Sequence, residues 1–123
     1  AMVIVYHTNY IKWFEIGRNE MLRAIGLEYS KMESESFNMP LSEAYCHYIY
    51  PAKFDDILNI ETSISYVRRA SMRFNYTIWD EEIKQVHAEG YTVHACTTSK
   101  GKIVRFPADF SSIIKKYYNI NQE

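Results

Sequence analysis

The chain has 123 residues, 47% hydrophobic and 24% charged, with a formal net charge of -1. That length fits one domain around one core, and the apolar share builds that core without disulfide or metal staples. The near-neutral charge argues against an electrostatic grip on nucleic acid or an anionic membrane, and no apolar run resembles a membrane span or a signal peptide.

The chain opens directly on apolar residues, Ala1-Met2-Val3-Ile4-Val5-Tyr6, with no polar lead. The first strong element is a helix over about residues 9–25. Thr8 or Asn9 supplies a capping oxygen at its start. Tyr10, Phe14, Gly17, Met21 and Ile25 recur at helical spacing, Ile11, Trp13, Ile16 and Leu22 widen that apolar surface, and Lys12, Glu15, Asn19 and Arg23 form a polar stripe. Glu15 and Arg18, three apart, suit an ion pair. Gly26 fits the left-handed position that ends a helix. Residues 28–40 are polar and irregular, with a short helical turn over 29–35.

Strand patterns follow. Residues 41–50 are aromatic-rich and stop before Pro51. Residues 57–68 alternate, with Leu58, Ile60, Ile64 and Tyr66 on one face. Residues 72–80 alternate again, with Met72, Phe74, Tyr76 and Ile78 together. Asp80-Glu81-Glu82 turns the chain into a strand over 84–98. There Val86 and Ala88 share one parity while Tyr91, Val93 and Ala95 share the other, so a bulge at Glu89-Gly90 is expected. A turn at 99–102 leads to a short strand over 103–106, and Pro107 opens a helix over 108–118. One greasy helix, a run of antiparallel strands and a short helix make an α+β fold in which a sheet curls around the first helix.

Cys46 and Cys96 lie far apart and form no C-x-x-C pair, which suits reduced thiols in a cytoplasmic protein. His7, His47, His87 and His94 lack the spacing of helical metal ligands, so no metal site is expected. Eleven tyrosines lean towards sheet and interface.

The run Val5-Tyr6-His7-Thr8-Asn9-Tyr10-Ile11-Lys12-Trp13-Phe14-Glu15, followed by Arg18, resembles the signature of the 4-hydroxybenzoyl-CoA thioesterase and YbgC-like acyl-CoA thioesterase family. Weaker matches follow in order: Leu41-x-Glu43-Ala44, Tyr50-Pro51-Ala52-x-Phe54-Asp55-Asp56, Arg69-Ala70-Ser71-x-x-Phe74 and Ala88-Glu89-Gly90-Tyr91-Thr92. The resemblance spans nearly the whole chain. It implies a single hotdog domain over residues 1–123, a long central helix wrapped by an antiparallel sheet. It also implies a homodimer or homotetramer whose active sites lie between protomers at the start of that helix.

The activity implied is hydrolysis of an acyl-CoA, with no separate cofactor because CoA is part of the substrate. The backbone N–H of His7 is the implied oxyanion donor, with Tyr6, Val5 and Asn9 shaping the pocket around it. Tyr6 has packing as its more ordinary role. A helix start presents unsatisfied N–H groups and partial positive charge, which suits the charge that thioester hydrolysis builds on oxygen. Arg68, Arg69 and Ser71 are implied to line the pantetheine arm, with the arginines pairing with CoA phosphates.

The family pattern D-x-x-G-h-V-Y-H places a catalytic Asp immediately before Ala1, and Val3 stands where the family has Gly. No carboxylate precedes Glu15. The expectation is a domain whose recorded residues begin after the family's first strand and its Asp. The alternative is a hotdog protein that binds acyl-CoA or acyl carrier protein without turning it over. A dehydratase of the same fold finds no matching His and Glu motif here.

Overall fold

Alternation decides which residues meet at the centre of this protein. In β4 (Ser71–Asp80) every second residue from Met72 to Asp80 is buried, so one face of the strand is core and the other half-solvated. The computed structural model describes residues 2–5, 10–27, 37–53 and 56–122. Its strands β1 (Met2–Val5), β2 (Leu41–Tyr48), β3 (Ile57–Val67), β4 and β5 (Val86–Ala95) form one sheet in the order β1-β3-β4-β5-β2. All neighbours pair antiparallel. The helix α1 (Tyr10–Ala24) packs on the inner face, and α2 (Ala108–Gln122) closes the chain.

The helix forms where the apolar period requires it. Tyr10, Trp13, Phe14, Gly17, Met21 and Leu22 are its buried residues, while Ile11 stays 41% exposed. Phe14 stacks on Tyr76 of β4 with ring centroids 4.4 Å apart, and this pair joins helix to sheet. Leu27 N–H donates to the Leu22 carbonyl at 2.7 Å, and Gly26 has φ of 88°. That left-handed glycine ends the helix as expected. The caps at Thr8 and Asn9 and the turn at 29–35 lie outside the described residues.

Three sequence expectations change. β3 keeps Leu58, Ile60 and Ile64 in the core, but a register shift between Ile64 and Tyr66 takes Tyr66 off that face. The strand expected over 103–106 reduces to one bridge between Ile103 and Thr97. In β5 the irregularity falls at His87, where Ile78 faces Ala88 and Trp79 faces Val86, and not at Glu89-Gly90. His87, Ala88, Thr92 and His94 are the buried set. Tyr91, Val93 and Ala95 lie on the outer face.

Gly90 is required for another reason. A Cβ there would sit 2.3 Å from the Tyr45 carbonyl oxygen and 2.7 Å from the Phe14 ring. The glycine lets the helix ring close onto the strand. No helix among the described residues is long and apolar enough to cross a membrane.

Candidate active site

Register brings the start of α1 to one end of the sheet. Val5, the last residue of β1, faces Ile57, the first of β3. After four intervening residues α1 begins at Tyr10. Tyr10 lies edge-on to Tyr48 at the end of β2, with centroids 5.0 Å apart, and edge-on to Trp13 at 4.7 Å. Tyr6, His7 and Asn9, the heart of the expected site, lie outside the described residues.

Beside this end sits a polar group that sequence spacing did not disclose. Asp56, Asp80 and His87 bring one potential ligand atom each within 4.8 Å of one another. His87 Nδ1–H donates to the Tyr50 carbonyl at 2.8 Å, and its Nε2 lies 3.5 Å from Asp80 Oδ2. Asp80 Oδ1 accepts the N–H groups of Glu82 and Ile83. Those backbone donors, Ile83 first, outweigh burial and hold the carboxyl below its ordinary range, with His87 adding to them. His87 thereby ties the segment at Tyr50 to Asp80 at the β4–β5 turn, with Asp56 beside them. The group's signal in the sequence was the D-D pair of the turn motif, but the His partner comes from a different strand.

A second buried chain runs under α1. Arg18 Nη1 is 3.1 Å from His94 Nε2, the Thr92 hydroxyl is 3.0 Å from the same nitrogen, and Tyr76 Oη meets Thr92 Oγ1 at 2.6 Å. His94 Nδ1–H donates to the Met39 carbonyl. Burial, then the Arg18 charge, lowers the His94 pKa from 6.5 to about 4. The imidazole is therefore neutral at pH 7, and its Nε2 accepts. The expected Glu15–Arg18 ion pair does not form among the described residues, where Arg18 reaches His94 instead. Arg18 turns inward because the sheet offers it a buried acceptor.

Both cysteines are free. Burial pushes their thiols up, so neither is a ready thiolate nucleophile.

Arg68 and Arg69 lie at the opposite end of β3, in the turn to β4, and both are exposed. They share a cavity of about 650 Å³ with Arg105, Ser111, Ser112 and Lys115. Ser71 contributes its carbonyl, which accepts the Arg68 N–H at 2.8 Å, and is not among the lining residues. The structure thus gathers the two arginines and separates them from Val5 and the helix start. Arg105 and Lys115 escaped the sequence reading because nothing near them in the chain marks them as a pair.

Comparison with known proteins adds an independent line. A family model described as the thioesterase-like superfamily matches residues 1–114. A curated protein of Aquifex aeolicus is 35% identical over 115 residues, covering 94% of this chain and 88% of that protein. The acyl-CoA thioesterase YbgC of Haemophilus influenzae is 28% identical over 109 residues, covering 86% of this chain and 78% of its own. The structure superposes on a DHNA-CoA thioesterase from Staphylococcus aureus with a TM-score of 0.86 at 22% identity, covering 95% of this chain and 80% of that one. That likeness speaks for the hotdog fold.

Proposed function

We propose that this chain, which belongs to the thioesterase-like superfamily and is a thioester hydrolase, acts on acyl-CoA. Water adds across the thioester C–S bond, giving a carboxylic acid and the CoA thiol. The observation that carries the reading is the seating of the α1 start at the sheet end where Val5 faces Ile57. Attack on the carbonyl carbon drives negative charge onto oxygen. A fixed N–H aimed at that oxygen lowers the barrier by roughly 3 kcal/mol. The His7 backbone N–H is the proposed donor, with Tyr6, Val5 and Asn9 around it. In the family pattern an Asp serves as base or nucleophile, and no residue of this chain is assigned that role.

Length argues that substrate spans two protomers. β3 has 11 residues, which at ~3.3 Å per residue separates Ile57 from Val67 by roughly 30 Å. An extended pantetheine arm has about the reach of four or five residues, ~16 Å. One protomer therefore does not hold both the thioester at its helix start and the CoA phosphates on its Arg68 and Arg69. The reading is a homodimer or homotetramer in which one copy supplies the helix start and another the arginines. β2 supports self-association: it is an edge strand with Tyr45 50% and Tyr48 62% exposed, a surface that invites a second strand. Buried, protonated thiols suit a cytoplasmic setting.

Thiol release from a short-chain acyl-CoA tests the reading. Saturable release supports it. Tight binding without release rejects it in favour of a non-catalytic acyl-CoA or acyl carrier protein binder.

A further inference from the structure

His87 is 1% exposed, and one contact sets its tautomer. Nδ1 lies 2.8 Å from the Tyr50 carbonyl oxygen. That oxygen only accepts, so Nδ1 carries the ring proton. In the neutral ring Nε2 is then a lone pair. No donor reaches it among the described residues. What faces it is Asp80 Oδ2 at 3.5 Å, itself an acceptor, and a buried acceptor left without a donor is costly. Asp80 has little freedom to turn away. Its Oδ1 accepts the N–H groups of Glu82 and Ile83 at 2.8 and 3.0 Å, which aims Oδ2 at the ring.

The spacing is that of two ligands of one ion. A charge-assisted N–H···O bond runs about 2.7–2.9 Å. Two tetrahedral ligands, each about 2.0–2.2 Å from a zinc ion, stand roughly 3.4 Å apart. Asp56 brings a third ligand atom, and the three lie within 4.8 Å of one another. The Lys53 N–H donates to Asp56 Oδ2 at 2.6 Å, which steadies that carboxylate. The bond from His87 Nδ1–H to a backbone carbonyl is the outer contact that orients a metal-bound imidazole and fixes its tautomer. The spacing of histidines along the chain hid this set, because its members come from the residue before β3, the end of β4 and the second residue of β5.

We propose that His87 Nε2, Asp80 and Asp56 bind a divalent transition-metal ion of the zinc type, which staples the start of β3 to the ends of β4 and β5. The ion gives the His87 lone pair and Asp80 Oδ2 the common partner that neither offers the other. Its two positive charges balance the two carboxylates. One imidazole with two carboxylates suits zinc better than magnesium or calcium, which take sets of oxygen alone. Asp56 is half-buried, so the site opens on its side, where water fills the fourth position. The site lies at the end of the sheet where α1 begins: Asp80 faces Leu58, and the neighbouring Ile57 faces Val5. Its role is to hold these strand ends together, and it stands whether or not the chain hydrolyses a thioester.

The test titrates Zn²⁺ into the chelator-treated, dialysed chain and follows heat, melting temperature and X-ray absorption at the zinc edge. One equivalent should bind per chain and raise the melting temperature. The absorption spectrum should show one imidazole and a shell of oxygens, with no sulfur from Cys46 or Cys96. Loss of an outer partner costs metal affinity about 10–100-fold, so loss of a ligand in His87→Gln or Asp56→Asn should weaken binding by more than about tenfold. His47→Gln, which changes an exposed histidine of β2, should bind like the wild type. Where His87→Gln does not fold, Asp56→Asn at the rim decides the matter. No zinc uptake by the wild type overturns the proposal and leaves a plain His87–Asp80 ion pair. Sulfur in the zinc shell, or full affinity retained in Asp56→Asn, overturns it as well. Mg²⁺ that raises the melting temperature as much as Zn²⁺ overturns the choice of metal.

Discussion

Arg18 and His94 meet under the central helix, with guanidinium Nη1 3.1 Å from imidazole Nε2. The pairing of a cation with a neutral ring works because His94 gives its one proton to the Met39 carbonyl. Thr92 and Tyr76 complete the chain. Tyr76, Thr92 and His94 are thus satisfied without a carboxylate.

This arrangement sets a pH dependence. His94 has its folded pKa lowered from 6.5 to about 4, so below pH 6.5 the unfolded chain takes up a proton that the folded chain refuses. Stability is expected to fall as pH drops from 6.5 to 4 and to stop falling on this account below that. At about 1.4 kcal/mol per unit the loss is capped near 3 kcal/mol. Urea melts across this window check it. The slope should vanish in His94→Gln, and a wild type whose stability is flat from pH 6.5 to 4 contradicts the assignment. Asp80 acts in a lower window: its depressed pKa gives stability that is present above the unfolded value and lost as pH falls through the folded one.

Gly90→Ala should be among the costlier glycine changes. The added methyl would press on the Tyr45 carbonyl at 2.3 Å and on the Phe14 ring, and a strand backbone does not yield easily. A loss of about 1–3 kcal/mol is expected by denaturant melt. Gly17→Ala meets only side-chain atoms, Thr62 Oγ1 at 2.6 Å and Ile60 Cγ2 at 2.9 Å. Its cost is offset by roughly 1 kcal/mol of helix propensity. It should therefore be the milder of the two, and a reversed order contradicts the packing described.

The sequence made some of this legible and hid the rest for physical reasons. The helix over 10–24 and the strand over 71–80 carry clean apolar periods, and both were readable to within two residues. β5 misled because its buried residues include Thr92 and His94. Tyr91 and Val93 then looked like core, and the phase slip was assigned to Gly90. The glycine marks a close approach of Phe14, which only the packed helix explains. For the site, the motif around His7 pointed to the helix start. Arg68 and Arg69 were readable as candidates too, but their separation from that start is a matter of strand register. Arg105 and Lys115 join them through the path of the chain after Cys96, for which no local pattern exists.

If thioester and nucleotide sit on different protomers, defective copies should complement each other. A His7→Pro protein and an Arg68→Gln/Arg69→Gln protein, each weak alone, are expected to regain part of the wild-type rate when unfolded together and refolded as mixed oligomers. Rates that stay at the mean of the two parents contradict the shared site.

The central claim is that a backbone donor at His7 stabilises the oxyanion during thioester hydrolysis, and replacement of that one N–H tests it most directly. Thiol release from a short-chain acyl-CoA should fall by about 10²–10³ in His7→Pro, which lacks the N–H, with KM little changed. In His7→Ala, which keeps it, the rate should stay within about tenfold of wild type. The melting curve of the proline variant shows that it is folded under the assay conditions. A folded His7→Pro protein that hydrolyses acyl-CoA as fast as His7→Ala contradicts the account.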